Sequence, residues 1–381
     1  MSMTGPISID LAFPAFSLIR ADLHVGADAM QLVVSVYLIA FAVMTPLHGP
    51  LSDALGRKPV AVGGLGLYAL ASVGAALSTS LGMLLAFRAL QGLSAGGATI
   101  IARTIVRDLY VGPAAQRLMS RVMMLFGIAP AIAPVLGGWL VGLGPWSSVF
   151  WFTSVFATAL ALVILVVLPE THLAADRSPL SLGAMTAGLL EVARSARFER
   201  VSWAITLAFA GQFLYIGAAA IFVVDLLGLG SGDFWVFFAP MIAGAVAGSW
   251  LSGRAAGRIA PRRLVTVSFA ATAVAAVGNI ALAAAYGPRL PYAVIGPALL
   301  ALGVGVAFPT VQVALLDLFP SARGAAASMA AVMPLAVNAV LATLLAPLVT
   351  GSVLALAVAA GVLVLLGTLV WLLHLRLSAP A

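Results

Sequence analysis

The sequence predicts an all-α integral membrane protein of twelve transmembrane helices in two six-helix, pseudo-symmetric halves. Three observations carry that prediction. Apolar residues make up 63% of the 381 residues and charged residues only 8%, whereas a soluble domain is about one quarter charged. The apolar residues fall in runs close to the roughly 20 that a helix needs to cross a bilayer. Basic residues collect in every second break between those runs, as orientation by loop charge requires.

The runs place spans near 3 to 19, 29 to 51, 59 to 79, 81 to 106, 117 to 142 and 146 to 168, then near 202 to 226, 234 to 252, 263 to 286, 291 to 316, 323 to 350 and 352 to 374. With a cytoplasmic N-terminus, sixteen of the 19 basic residues fall on the cytoplasmic side, Arg20 and Arg289 fall outside, and Arg88 alone sits within a span. A missed or extra span would scramble every later loop, so the tally supports twelve spans with both termini cytoplasmic. The +7 net charge therefore reads as a topology signal. It forms no patch with interleaved aromatics that would suit nucleic acid.

The longest hydrophilic stretch divides the chain. Residues 1–170 form the first half, 171–201 a cytoplasmic linker and 202–381 the second half. Gly257-Arg258 repeats Gly56-Arg57 at an offset of 201 residues, with Arg254 where the offset puts Asp53. The first helix is expected to be short, because Met1 to Ile19 gives only 19 residues before Arg20. It also lacks the basic start of a signal peptide.

Composition removes several functional classes. There is no cysteine, hence no disulfide, thiolate metal site or thiol nucleophile. His24, His48, His172 and His374 are scattered, so no metal ligand set is expected. A polytopic enzyme would need a nucleophile, a metal or an acid–base pair, and none is spaced for it.

The most specific stretch is Gly49-Pro50-Leu51-Ser52-Asp53-Ala54-Leu55-Gly56-Arg57-Lys58-Pro59, a charged turn between the second and third spans. Gly49 and Gly56 permit close approach and a tight turn, Pro59 suits a first helical turn, and Asp53 can face basic groups or a helix N-terminus. This stretch resembles the signature loop between helices 2 and 3 of the major facilitator superfamily of secondary transporters. The resemblance implies two parallel repeats with a substrate site near the midplane, and a polar latch of Asp53, Arg57 and Lys58.

Asp10 lies inside the first span, where an ionisable group is costly and marks a functional site by default. Its setting, Ile7-Ser8-Ile9-Asp10-Leu11-Ala12-Phe13-Pro14-Ala15, resembles the first helix of the Bcr/CflA-type drug-resistance branch of that family, the drug:proton antiporters. The resemblance implies a proton- and cation-responsive carboxylate at Asp10. Leu84, Arg88, Gln91 and Gly92 resemble the helix-4 motif of proton-driven exporters. An arginine does not deprotonate in practice, so Arg88 is expected to bias a nearby acid. Gly127-Ile128-Ala129-Pro130-Ala131-Ile132-Ala133-Pro134-Val135-Leu136-Gly137-Gly138 resembles the antiporter motif of helix 5, carried by Pro130, Pro134, Gly137 and Gly138. Small residues there allow close packing and prolines allow bending.

Looser echoes of the same branch are Arg103-Thr104-Ile105-Val106-Arg107-Asp108, Pro169-Glu170-Thr171, Phe308-Pro309-Thr310 and Arg323-Gly324-Ala325-Ala326-Ala327-Ser328. Tyr37, Gln212, Tyr215, Phe222, Gln312 and Asn338 fall within spans of both halves and are candidates to line a substrate pocket, which needs a few polar groups on an apolar wall.

The sequence thus predicts proton-coupled efflux of drug-like molecules by alternating access across the inner (cytoplasmic) membrane. The carrier is expected to be a monomer without a cofactor, driven by the proton gradient, with lipophilic neutral or cationic substrates, protons and the bilayer as partners. A proton-coupled metabolite importer and a non-transporting membrane sensor stand as alternatives.

Overall fold

A computed structural model describes residues 1–219, 221–230 and 233–378. The first half begins with α1 (Thr4–Asp10), a 3-10 turn (Phe13–Ala15) and α2 (Phe16–Asp22). It continues through α3 (Ala27–Leu55), α4 (Arg57–Ala76), α5 (Leu81–Leu109), α6 (Gly112–Leu143) and α7 (Ser147–Val167). The polar stretch between the halves holds a further helix, α8 (Leu182–Arg194). The second half comprises α9 (Ala196–Gly217), α10 (Phe234–Ala255), α11 (Pro261–Tyr286), α12 (Tyr292–Asp317), α13 (Arg323–Val340), α14 (Ala346–Val349) and α15 (Val353–Leu377).

Among the described residues, ten helices are long and apolar enough to cross a membrane. Two of the twelve expected spans fall short for visible reasons. The first is interrupted around Pro14, whose ring removes a backbone donor and crowds the preceding turn, so α1 and α2 flank a 3-10 step. The seventh, α9, starts six residues before its expected position and so carries Arg197, Glu199 and Arg200 in its opening turns. Ser195 caps it by accepting from the Phe198 N–H at 3.3 Å, which satisfies one of the free donors at a helix start. The span expected at 323 to 350 is α13 followed by a π-helical segment, Leu341–Leu345, and α14.

Two compact units emerge, each built mainly from one part of the sequence. Unit 1 comprises Met1–Leu109, Ile128–Val192 and Phe319–Ala331; unit 2 comprises Tyr110–Gly127, Ala193–Leu318 and Val332–Ala381. Each therefore incorporates a short segment of the opposite half: the start of α13 in unit 1, the start of α6 in unit 2. In unit 1, α3 pairs with α5 and α4 with α7, over apolar clusters that include Leu11, Val33, Leu84 and Phe150 and, separately, Tyr68, Ile101 and Ile164. In unit 2, α10 pairs with α12 and α9 with α15, around Tyr215, Phe222, Phe237 and Leu356.

Helices without a water-driven force between them pack through small residues, and the pairing of α10 with α12 shows why. A Cβ at Gly244 or Gly248 would overlap the carbonyls of Ala298 or Leu302, and one at Gly305 would meet Ala245, so α10 and α12 touch backbone to backbone. Gly278 of α11, by contrast, faces open space. Gly248→Val should therefore cost about 1–3 kcal/mol through overpacking, read as a lower melting temperature in detergent, while Gly278→Ala should match or slightly exceed the parent.

Candidate functional site

Two polar assemblies in unit 1 hold most of the residues that the sequence singles out. The first surrounds the charged turn. Gly56 adopts φ +100°, a region that side chains rarely enter, and so ends α3 and starts α4 within one residue. Gly257, in the turn between the end of α10 at Ala255 and the start of α11 at Pro261, also has positive φ, +80°, which gives the sequence echo between the halves a shared backbone feature. A Cβ at Gly49 would land on the backbone of Gly324, so the end of α3 lies directly on the start of α13.

That contact places the buried Asp53 carboxylate at the N-terminus of α13. It accepts from the backbone N–H groups of Gly324 at 3.1 Å and Ala325 at 3.0 Å, and from Arg57 Nη1 at 2.6 Å. A helix start exposes unpaired donors and partial positive charge, so a carboxylate from another helix caps it well. Ser328 adds a relay, accepting from the Gly49 N–H at 2.9 Å and donating to the Thr45 carbonyl at 2.8 Å. Arg57 is 1% exposed and also donates through Nε to Asp108 at 3.1 Å. The other oxygen of Asp108 accepts from Arg323 at 2.9 Å. A buried charge is tolerable when paired and hydrogen-bonded; this chain of alternating charge meets that condition.

Glu170 completes the assembly. Its carboxylate accepts from the N–H groups of Arg57, Lys58, Thr171 and His172 at 2.9–3.2 Å, and so caps α4 from outside its own segment. Lys58 contributes its backbone N–H here, and its ammonium makes no ion pair among the described residues. Asp108, Glu170 and Arg323 were legible only as family echoes, and the structure joins them to Asp53 and Arg57.

The second assembly is centred on Arg88, which is fully buried. Its Nε donates to the Val33 carbonyl at 3.1 Å, and Nη1 to the Ser8 carbonyl at 3.1 Å and Gln91 Oε1 at 3.0 Å. The guanidinium lies over the Tyr37 ring, 4.6 Å from its centroid, a favourable cation–π arrangement. Gln91 passes the network on to Ser72 Oγ at 2.7 Å, and Gly92 lets α5 rest on the Tyr37 carbonyl. No carboxylate pairs with Arg88, and its Nη2 has no partner among the described residues. Asp10 ends α1 two residues after Ser8, half-buried. Among the described residues it makes no hydrogen bond or salt bridge.

The helix-5 motif lies in α6. Pro130 and Pro134 are inside the helix, and Gly137 packs against the Leu11 carbonyl and Pro14, fitting α6 to the break in the first helix. Gly138 faces open space.

The candidate pocket residues separate into different environments. Tyr37 is buried beneath Arg88. In unit 2, Tyr215 accepts from Asn279 Nδ2 at 2.8 Å and packs edge-on to Phe222, so both belong to the interior of their helix cluster. Gln212 is buried on α9. Gln312 Oε1 and Asn338 Oδ1 are buried without a partner among the described residues and remain available to a hydrogen-bond donor.

Sequence reasoning missed a junction in unit 2. Gln116, at the start of α6, donates to the Ser252 carbonyl at 3.1 Å and to Thr310 Oγ1 at 2.9 Å, while Ser252 Oγ and Thr310 Oγ1 lie 3.2 Å apart. The signal was Thr310 in the Phe308-Pro309-Thr310 echo.

The family description Major Facilitator Superfamily matches residues 1–334. An uncharacterized MFS-type transporter of Bacillus subtilis is 26% identical over 348 residues, covering 90% of this chain and 86% of the relative. A bicyclomycin resistance protein homolog of Haemophilus influenzae is 26% identical over 71% of this chain and 68% of its own. The multidrug resistance protein MdtL of Escherichia coli is 29% identical over 69% and 66%. Among solved structures, the human organic anion transporter MFSD10 superposes with a TM-score of 0.76 at 19% identity, over 97% of each chain. That likeness speaks for the fold.

Charged hydrogen bonds of the kind made by Asp53 are worth about 1.5–3 kcal/mol each. In a carrier bearing Ala326→Cys, adding Asp53→Asn should raise the rate of labelling by a water-soluble maleimide at least about 10-fold. An unchanged rate would show that Asp53 does not hold the start of α13.

Proposed function

Because this chain belongs to the Major Facilitator Superfamily and is thereby a membrane-embedded transporter of small molecules rather than an enzyme, we propose that it exports drug-like compounds in exchange for protons. The observation that carries this reading is a pair of embedded ionisable residues: Asp10 at the end of α1, with no hydrogen bond or salt bridge among the described residues, and the buried Arg88, which bonds the Ser8 carbonyl of that same helix and meets no carboxylate. A charged group inside a membrane bundle is costly, so an acid without a fixed partner can exist neutral or charged, according to what approaches it.

In the proposed cycle, protonation of Asp10 from the outside favours substrate release there, and loss of that proton to the cytoplasm lets substrate bind again. Arg88 does not exchange the proton. Its bonds to Ser8 and Val33 fix α1 against α3 and α5, and its charge sets the balance at Asp10. Each state must bind its ligands differently for proton and substrate to be coupled. The junctions at Asp53 and Gln116, each tying a segment of one sequence half to the other, would hold one state and part in the other.

The names of the resistance-protein relatives support drug-like substrates. Among the pocket candidates, the unpaired Gln312 and Asn338 acceptors suit neutral or cationic donors, and few embedded bases are available for a strongly anionic substrate. Loop charge supports an inner-membrane carrier with both termini cytoplasmic. The proton gradient would replace any cofactor, and a single chain would complete the cycle.

The test is accumulation of labelled drugs in efflux-deficient bacteria expressing the chain, with and without a protonophore, beside Asp10→Asn. Accumulation should fall with the parent chain and return to the empty-cell level with either the protonophore or the substitution. Undiminished export by an inserted Asp10→Asn protein would refute proton coupling at this residue. Uptake driven by the gradient would favour the importer.

A further inference from the structure

One end of unit 2 gathers arginines that make no salt bridge among the described residues. Helix α15 packs along both α9 and α11, and Arg262 Nη2 donates to the Leu375 carbonyl at 3.2 Å, so the start of α11 rests on the last turns of α15. Trp371 donates to Thr266 Oγ1 at 3.0 Å, lies parallel to the Phe269 ring and stacks on His374. That stack fixes a histidine only 7% exposed, with Nδ1 buried and unpartnered. Helix α9, which carries Arg197 and Arg200 in its opening turns, packs along the same α15, and Arg262 bonds the residue next to His374.

Arg200 has its own buried donor, Nε, without a partner. None of the three arginines makes a salt bridge among the described residues, with the neighbouring Glu199 or any other acid. The 26-residue α11 starts at Pro261 with no side-chain cap, and its first-turn donors add partial positive charge on the same side. Beside the cluster, Trp203, Val267, Leu369, Leu373 and Leu377 are exposed, forming an apolar flank where acyl chains can lie.

Orientation by loop charge puts this end at the inner leaflet, but orientation alone needs only exposed cations. It gives no reason for an aromatic stack to hold a buried histidine at this basic end, or for Arg200 Nε and His374 Nδ1 to be buried without partners. We infer that Arg197, Arg200, Arg262 and His374 form a binding site for the phosphate headgroup of an anionic phospholipid. Basic pockets between helices on the cytoplasmic side recognise such headgroups, and arginine suits phosphate through its forked donors.

The experiment is thermal unfolding of the delipidated, full-length carrier in neutral detergent, titrated with phosphatidylglycerol, phosphatidylcholine or inorganic phosphate. Phosphatidylglycerol should raise the melting temperature saturably and phosphatidylcholine should not. The combined Arg197→Gln, Arg200→Gln and Arg262→Gln variant should need on the order of 100-fold more phosphatidylglycerol, whereas Arg258→Gln should behave as the parent. If the triple variant does not fold, Arg200→Gln alone should shift the half-point about fivefold. Equal responses to the two lipids, or a parent-like response from the arginine variants, would overturn the site. A full shift with inorganic phosphate alone would show that it takes a free anion and overturn its assignment to lipid.

Discussion

The carboxylate of Asp53 is the interaction on which unit 1 depends. It neutralises the start of α13, anchors Arg57 and, through Arg57, draws in Asp108 and Arg323. None of these groups is affordable alone in a buried setting. Arg57 without its acids would be an isolated buried cation, and α13 without Asp53 would begin with unsatisfied donors. The backbone contact between Gly49 and Gly324 brings the carboxylate within reach, so small residues and charge act as one device.

The Arg88 assembly follows a different principle. It meets a buried cation with carbonyls, an amide and an aromatic face in place of a carboxylate. This leaves the guanidinium fixed while one of its nitrogens stays unused. Asp10 ends α1, where Pro14 interrupts the first helix. That break places the carboxylate at a helix end, where the backbone is already irregular, and Gly137 fits α6 into the same spot. Proline, acid and glycine thus belong to one local arrangement.

Much of this was legible in the sequence, for reasons that differ by residue. Long apolar runs gave the major helices, because the length needed to cross hydrocarbon leaves little freedom. The turn at Gly56 was legible because only glycine tolerates that backbone readily. The break in the first helix was less so: Pro14 stands four residues after Asp10 in the sequence, but whether a proline bends or stops a helix depends on its neighbours. The partners of Asp53 and Arg57 were not legible, since Asp108, Glu170 and Arg323 lie far apart in the chain and only folding brings them together. Gln116 carried no local signal at all, and Lys58, prominent in the motif, supplies only its backbone to the charged assembly.

The two junctions that join opposite sequence halves are built from unlike materials, and they will therefore fail differently. The one at Asp53 is ionic; substitutions that alter charge can undo it even when they preserve volume. The one at Gln116 is an amide held by a carbonyl and a hydroxyl, indifferent to ionic strength but sensitive to a lost donor. A drifting lineage could weaken either without touching the other, so the duplicated architecture gains a redundancy that two identical copies would lack.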